Sequence, residues 1–134
     1  MNKGQIFKTD LPFDQVTYDH DGESWTFRFL TDHFTAQGLW RILENKKIRF
    51  VSLDNGQQFG LPKPIDLVTE VNELLKDRRL KTIIIKPDTS DLQLILSDNF
   101  EIEIFITSSG YETYEFSFDS KRYIGQGSGE IAIF

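Results

Sequence analysis

Apolar and polar side chains alternate along much of this chain, and that period of two constrains its fold more than any other feature. Trp25, Phe27 and Phe29 are separated by Thr26 and Arg28, and Tyr114, Phe116 and Phe118 by Glu115 and Ser117. Successive side chains of a strand point to opposite faces, so each such run buries one face of a sheet. Alanine, the best helix former, occurs only as Ala36 and Ala132, whereas Ile and Phe, which suit a pleated surface, are abundant. The expected class is α+β, a single domain over residues 1–134 of mostly antiparallel β-meanders with one amphipathic helix.

Carried along the chain, the pattern predicts strands at 25–29, at 34–43 with Gly38 as a bulge or bend, and at 48–53. Asn55-Gly56 is a hairpin signal, because both positions tolerate positive φ, and a short strand at 57–61 is expected to return from it. Leu61-Pro-Lys-Pro64 breaks this pattern. Leu67, Val68, Val71, Leu74 and Leu75 then recur at helical spacing, with Asp66 and Glu70 early and Lys76, Arg78 and Arg79 late, as the helix dipole favours. The helix is placed at about 64–78. Strands follow at 80–86, where Ile83-Ile84-Ile85 predicts burial on both faces, and then at 92–96 and 102–106 across a turn at Asp98-Asn99. Three more complete the meander at 114–118, 121–125 and 129–134. Residues 1–24 are polar and poorly periodic, and are expected to be irregular apart from a short strand near 15–18.

An internal duplication is one reading of three local likenesses. Thr31-Asp32-His33-Phe34 matches Ser97-Asp98-Asn99-Phe100, Ser52-Leu53-Asp54 matches Ser117-Phe118-Asp119, and Phe59-Gly60 matches Ile124-Gly125. The three share an offset of 65 or 66 residues, which two four-strand meanders around one helix would produce; chance similarity between hairpins would do so equally.

Composition removes several classes of function. Fifteen Lys+Arg against 21 Asp+Glu give a net charge of −6, unsuited to nucleic-acid binding through the phosphate backbone. No run approaches the roughly 18 apolar residues of a membrane span, and the first eight residues lack the apolar segment of a signal peptide. A cytoplasmic location is therefore expected. With no cysteine, disulfides, thiolate nucleophiles and Cys-ligated metals are excluded.

Catalytic patterns fail on spacing or charge. Aligning Gly22 of Asp19-His20-Asp21-Gly22 with the calcium-loop glycine puts Arg28 where a bidentate Glu belongs. Gly125-Gln-Gly127-Ser-Gly129 has no helix behind it and no lysine to hold a phosphate, so it reads as a strand connection. No G-x-S-x-G occurs, and His20 and His33 fall in turns without a zinc-ligand spacing. Glu101 and Glu103 lie about 7 Å apart along one strand face, a separation that glycosidases use, although E-x-E is more often a solvated sheet face. Ser108-Ser109-Gly110-Tyr111-Glu112 reads as a hairpin loop or a partner-contact loop, and Lys76, Arg78, Arg79 and Lys81 as helix-capping charge. No metal and no cofactor is expected.

Charge is unevenly spread. Residues 87–120 hold eight acidic side chains and no Lys or Arg. In a sequential meander, Glu101, Glu103 and Glu115 share one outer face, where like charges are destabilising and call for compensation. That compensation comes either from the basic segment 76–86 or from a cationic partner.

At Gly56-Gln-Gln-Phe-Gly-Leu-Pro62 and Thr107-Ser-Ser-Gly-Tyr-Glu112 the chain resembles small bacterial proteins of unknown function. Some of these are similar to immunity proteins encoded beside secreted polymorphic toxins. The likeness spans about residues 25–130. It implies a cytoplasmic α+β protein that acts by binding and needs no cofactor, and it assigns no individual functional residue. The expected function is a non-enzymatic protein-binding module, such as an immunity protein that neutralises a basic toxin. Its contact residues would be Glu101, Glu103, Glu112 and Glu115, with Tyr111 as aromatic anchor. A small hydrolase or small-ligand-binding protein using His33 or paired acids in a cleft is the rival, and a homo-oligomer paired through its terminal strand and Phe134 is a third reading.

Overall fold

The segment that looked irregular is the strand on which the sheet turns. In the computed structural model, which describes residues 3–134, β1 (Gln5–Asp19) is the longest element. Its first part pairs with β6 (Arg79–Ile85) and its last part with β2 (Ser24–Phe29), with register shifts between Lys8 and Leu11 and between Phe13 and Gln15. Bulges add a residue and move side chains to the other face. The core-facing residues accordingly change parity, from Phe7, Leu11 and Phe13 to Val16 and Tyr18. A strict period of two is lost, and with it the sequence signal.

Among the described residues all pairings are antiparallel, in one eleven-stranded sheet ordered β11-β10-β9-β3-β2-β1-β6-β7-β8-β4-β5. One half, hereafter the β2 half, adds to β1 and β2 the strands β3 (Asp32–Ala36), β9 (Tyr114–Phe118), β10 (Lys121–Gly125) and β11 (Ile131–Ile133). The other, the β7 half, adds to β1 and β6 the strands β7 (Leu92–Leu96), β8 (Phe100–Ile104), β4 (Trp40–Glu44) and β5 (Lys47–Val51). The halves face each other across an aromatic core. Trp40 meets Trp25 and Phe27 edge-on at 5.1 and 5.2 Å, and Phe7 meets Phe118 and Tyr123 at 5.1 and 5.4 Å. Leu92, Leu94 and Leu96 share the buried face, as their alternation predicts. Ile84 is only half-buried between buried Ile83 and Ile85, so the expected two-sided burial of that run is corrected.

The strand order is not a sequential meander. The run expected as one strand over 34–43 is two strands in opposite halves, and the linker between them crosses the molecule. The connection from β8 to β9 crosses back beside it. Gln37 N–H donates to the Thr113 carbonyl at 2.7 Å, and Phe105 N–H to the Leu39 carbonyl at 2.9 Å. Gly38 sits where the crossovers touch. A Cβ there would lie 2.6 Å from Thr107 Oγ1, 3.0 Å from the Phe105 carbonyl oxygen, and closer still to the Thr113 methyl.

The exchange has an internal symmetry. Phe27 pairs with Phe34 as Leu94 pairs with Ile102, and Phe34 pairs with Phe116 as Ile102 pairs with Ile42. Each three-strand meander therefore receives the hairpin that follows the other. The repeat lies in topology and register, not in the three sequence likenesses. Phe34 is equivalent to Ile102 rather than Phe100, and Ser52–Asp54 is a turn after β5 whereas Ser117 and Phe118 end β9.

The helix α1 (Leu67–Leu75) is shorter than 64–78. Asp66 caps it, accepting from Thr69 N–H and Thr69 Oγ1–H at 3.3 and 2.7 Å. Ile65 stays outside, bonded to Gly56 and Gln57. Asn55 makes no hairpin; its Oδ1 accepts Leu67 N–H at 2.9 Å, and 57–61 is loop rather than strand. Lys76, at φ −53° and ψ 132°, has left the helical conformation, and Arg79 already belongs to β6. Leu67, Val71 and Leu75 are buried, while Asn72 binds the main chain of Val16 in β1. Among the described residues no helix is long and apolar enough to cross a membrane.

Candidate functional site

Three loops close the crossover end of the molecule: 86–91, 105–113 and 126–130. Glycines let them pack against one another. Gly127 lies against the main chain of Ser109 and Gly110, and Gly129, at φ +84°, lies against the Asp88 carbonyl, so neither position has room for a Cβ. Ser128 N–H donates to the Ser108 carbonyl at 3.2 Å and Ser128 Oγ–H to the Ser109 carbonyl at 2.6 Å. Beneath them Ser90 Oγ–H donates to the Gly129 carbonyl at 2.5 Å, and Tyr114 Oη–H to the Ser90 carbonyl at 2.8 Å. Burial and the nearby Asp91 carboxylate raise the Tyr114 phenol well above its ordinary value, so it is a proton donor throughout the physiological range.

This frame holds Tyr111 out into solvent, 80% exposed. Ser108 Oγ accepts from the N–H groups of Gly110 and Tyr111 at 3.1 and 3.0 Å, which fixes the turn that carries the ring. Beside it runs an open groove of about 710 Å³ lined by Gln37, Tyr111, Glu112, Gln126 and Glu130, with no Lys or Arg on its walls. Among the described residues neither Glu112 nor Glu130 takes part in an ion pair, although the Glu112 charge reaches Arg122 and helps to raise its pKa after the Glu115 contact. Sequence reasoning reached Tyr111 and Glu112 but missed Gln37, Gln126 and Glu130. The spaced glycines of 125–129 mark close main-chain approach, and that was the available signal.

The strand carboxylates are placed differently from expectation. β8 and β9 lie in opposite halves, so Glu101 and Glu103 do not share a face with Glu115. Each also has its own cation. Glu101, 5% exposed, accepts from Lys46 Nζ at 3.1 Å and Gln93 Nε2 at 2.7 Å; Glu103 accepts from Arg41 Nε at 2.7 Å. Glu115 accepts from Arg122 Nε at 2.6 Å, which holds its carboxyl below the usual range. The single outer acidic face is therefore corrected: cations from β4, the β4–β5 turn and β10 already compensate it. Segment 76–86 is engaged elsewhere, with Arg79 and Lys81 on Asp10 at 2.6 and 3.0 Å and Arg78 on Asp98 at 3.3 Å.

The two histidines lie apart. His20, in the β1–β2 turn, meets the Tyr18 ring edge-on at 4.8 Å, and His33 is exposed on the outer side of the β2 half opposite Arg28. Neither lines the groove beside Tyr111. Asp21 N–H bonds Asp19 Oδ1 at 3.0 Å, a local turn rather than a calcium loop. Among the described residues no group of three His, Cys, Asp or Glu side chains is arranged to hold a metal ion. No family model, curated protein or solved structure matches the chain.

Proposed function

We propose that this chain is a non-enzymatic protein-binding module whose contact surface is the loop platform around Tyr111, Glu112 and Glu130. The observation that carries the reading is an aromatic ring held 80% exposed by a glycine-packed frame, beside an acidic groove without a cation of its own. An exposed Tyr fixed before binding supplies apolar contact area at low entropic cost. Unpaired rim carboxylates steer a cationic partner and raise its association rate. The three strand glutamates, already bonded, are not needed for the contact. The sequence resemblance supplies the finer form of the proposal, an immunity protein that covers a basic toxin.

The test is affinity purification from the native host at low and high salt, with wild type, Tyr111→Ala, a Glu112→Lys/Glu130→Lys double variant, and Glu115→Gln. A stoichiometric basic protein should co-purify with wild type and with Glu115→Gln. Charge reversal should abolish its capture, and Tyr111→Ala should weaken binding by about 30-fold, as for an aromatic hot spot. No stoichiometric partner, or one retained by every variant, would refute the reading.

A further inference from the structure

We propose that the outer face of the β7 half is a homodimer interface, covered in solution by a second copy of this chain. The two halves have matching registers, so each is a control for the other. On the β7 half the outer positions include Ile6, Ile84, Ile95, Leu43 and Ile48, with Ile6 66% and Ile48 54% exposed. On the β2 half the places equivalent to Ile84, Ile95, Leu43 and Ile48 hold Thr17, Arg28, Ser117 and Arg122. One fold thus presents a polar outer face on one half and, on the other, an apolar one that none of the described residues covers.

The polar groups on the apolar face are already satisfied there. Lys8 Nζ donates to Thr82 Oγ1 at 3.3 Å, Gln93 and Lys46 both bind Glu101, and Arg41 binds Glu103. Covering the Glu101 and Glu103 pairs leaves no carboxylate without a cation, the usual obstacle to burying ionised side chains, while exposed Lys8, on the bordering strand β1, keeps its ammonium in water at the rim. Such a face asks for a partner of the same kind, apolar with its carboxylates already paired, and the face itself meets that description. Three cations against two carboxylates leave it close to neutral on a chain of net charge −6, so two copies meet here without the repulsion they feel elsewhere. Six strands at about 4.8 Å spacing and five residues at about 3.3 Å rise give a projected footprint of about 480 Å². Side-chain relief brings the accessible area toward the roughly 800 Å² per partner of a standard interface. An isologous two-fold pairing buries it in a closed dimer.

Light scattering after size exclusion and sedimentation velocity, from about 10 µM to about 1 mM, test this in the concentration range of a modest interface. The wild-type mass should rise to twice 15.6 kDa. Ile95→Lys at the centre of the face should weaken association at least tenfold. The Ile6→Lys/Ile48→Lys double variant changes only exposed positions, keeps the fold by circular dichroism, and should do the same. Arg28→Glu, on the other half, should leave the dimer intact. A wild type monomeric throughout, a dimer that survives both face variants, or a monomer that takes up a different protein here overturns the proposal.

Discussion

Asn72→Ala removes the one side chain that completes β1 where its two neighbours part. Past Phe13 the strand has β2 on one side and has lost β6 on the other, so the main-chain groups of Val16 face away from any strand. Asn72 stands in for one: its Oδ1 accepts Val16 N–H at 2.8 Å and its Nδ2 donates to the Val16 carbonyl at 3.0 Å, while bonding the Val68 carbonyl at 2.8 Å. Val16 is fully buried, so truncation leaves a donor and an acceptor unsatisfied. At roughly 1–3 kcal/mol each, moderated by water entering beside the half-buried position 72, the loss should be about 2–4 kcal/mol. For a chain of this length that is a fall in Tm of about 7–14 °C. Asn72→Asp keeps the acceptor and loses both donors when ionised, so its carboxyl should titrate above the ordinary Asp value. A raised folded-state pKa stabilises below the unfolded value and is lost as pH rises through the folded one, so this variant should be closest to wild type near pH 4 and weakest at neutral pH. Urea melts of the three proteins between pH 4 and 8 decide it. An Asn72→Ala loss below about 0.5 kcal/mol, or an Asn72→Asp difference flat with pH, would show that water serves β1 as well as the amide does.

Two further perturbations test the crossover and the helix start. Gly38→Ala should cost about 1–3 kcal/mol in a denaturant melt, because its Cβ must displace Thr107 and Thr113 at the crossing; Gly110→Ala, which meets nothing within 4 Å, is the matched control and should be near neutral. Asp66→Ala should cost about 1 kcal/mol as a lost helix cap. The Thr69 hydroxyl and N–H hold the Asp66 carboxyl below its ordinary value, so that contribution is present above about pH 4 and fades as pH falls through the lower folded value. Wild-type and variant stabilities should therefore converge on acidification.

Strands were legible wherever one face is buried along an unbroken period, as at 25–29, 92–96 and 114–118, and so was the α1 stripe. β1 was hidden because two register shifts change which residues face the core. The split between β3 and β4 was hidden because the apolar run from Phe34 to Leu43 continues through Gly38, while the chain moves to the other half. Asn55-Gly56 carries the residues of a tight hairpin, yet tertiary bonds from Leu67 and Ile65 recruit them to anchor the helix. Local propensity here yields to long-range pairing, as short turn signals commonly do. At the candidate site, Tyr111 and Glu112 were readable as an exposed loop pair. Gln37 and Glu130 were not, since only the crossovers bring residues so distant in sequence to one groove.

The same exchange of hairpins explains why the linear charge count misled. Eight acids without a cation in 87–120 read as an unbalanced surface so long as neighbours in sequence are neighbours in the sheet. Delivering β4 to β8 sets Arg41 opposite Glu103 and brings Lys46 over Glu101, and the β9–β10 hairpin brings Arg122 to Glu115. An ion pair half-withdrawn from water holds its partners more firmly than an exposed one, and it is also costly to break on one side. Glu101 and Glu103 therefore tie the exchanged β4–β5 hairpin to β8 and are poorly placed to leave their cations for a ligand, whereas the exposed Glu115–Arg122 pair closes within its own hairpin. Glu112 and Glu130, on loops that no strand pairing reaches, keep their charge available to solvent. A cationic partner of the kind proposed would thus be attracted most strongly at the crossover end, next to the exposed Tyr111 ring, and apart from the nearly neutral apolar face proposed for self-association.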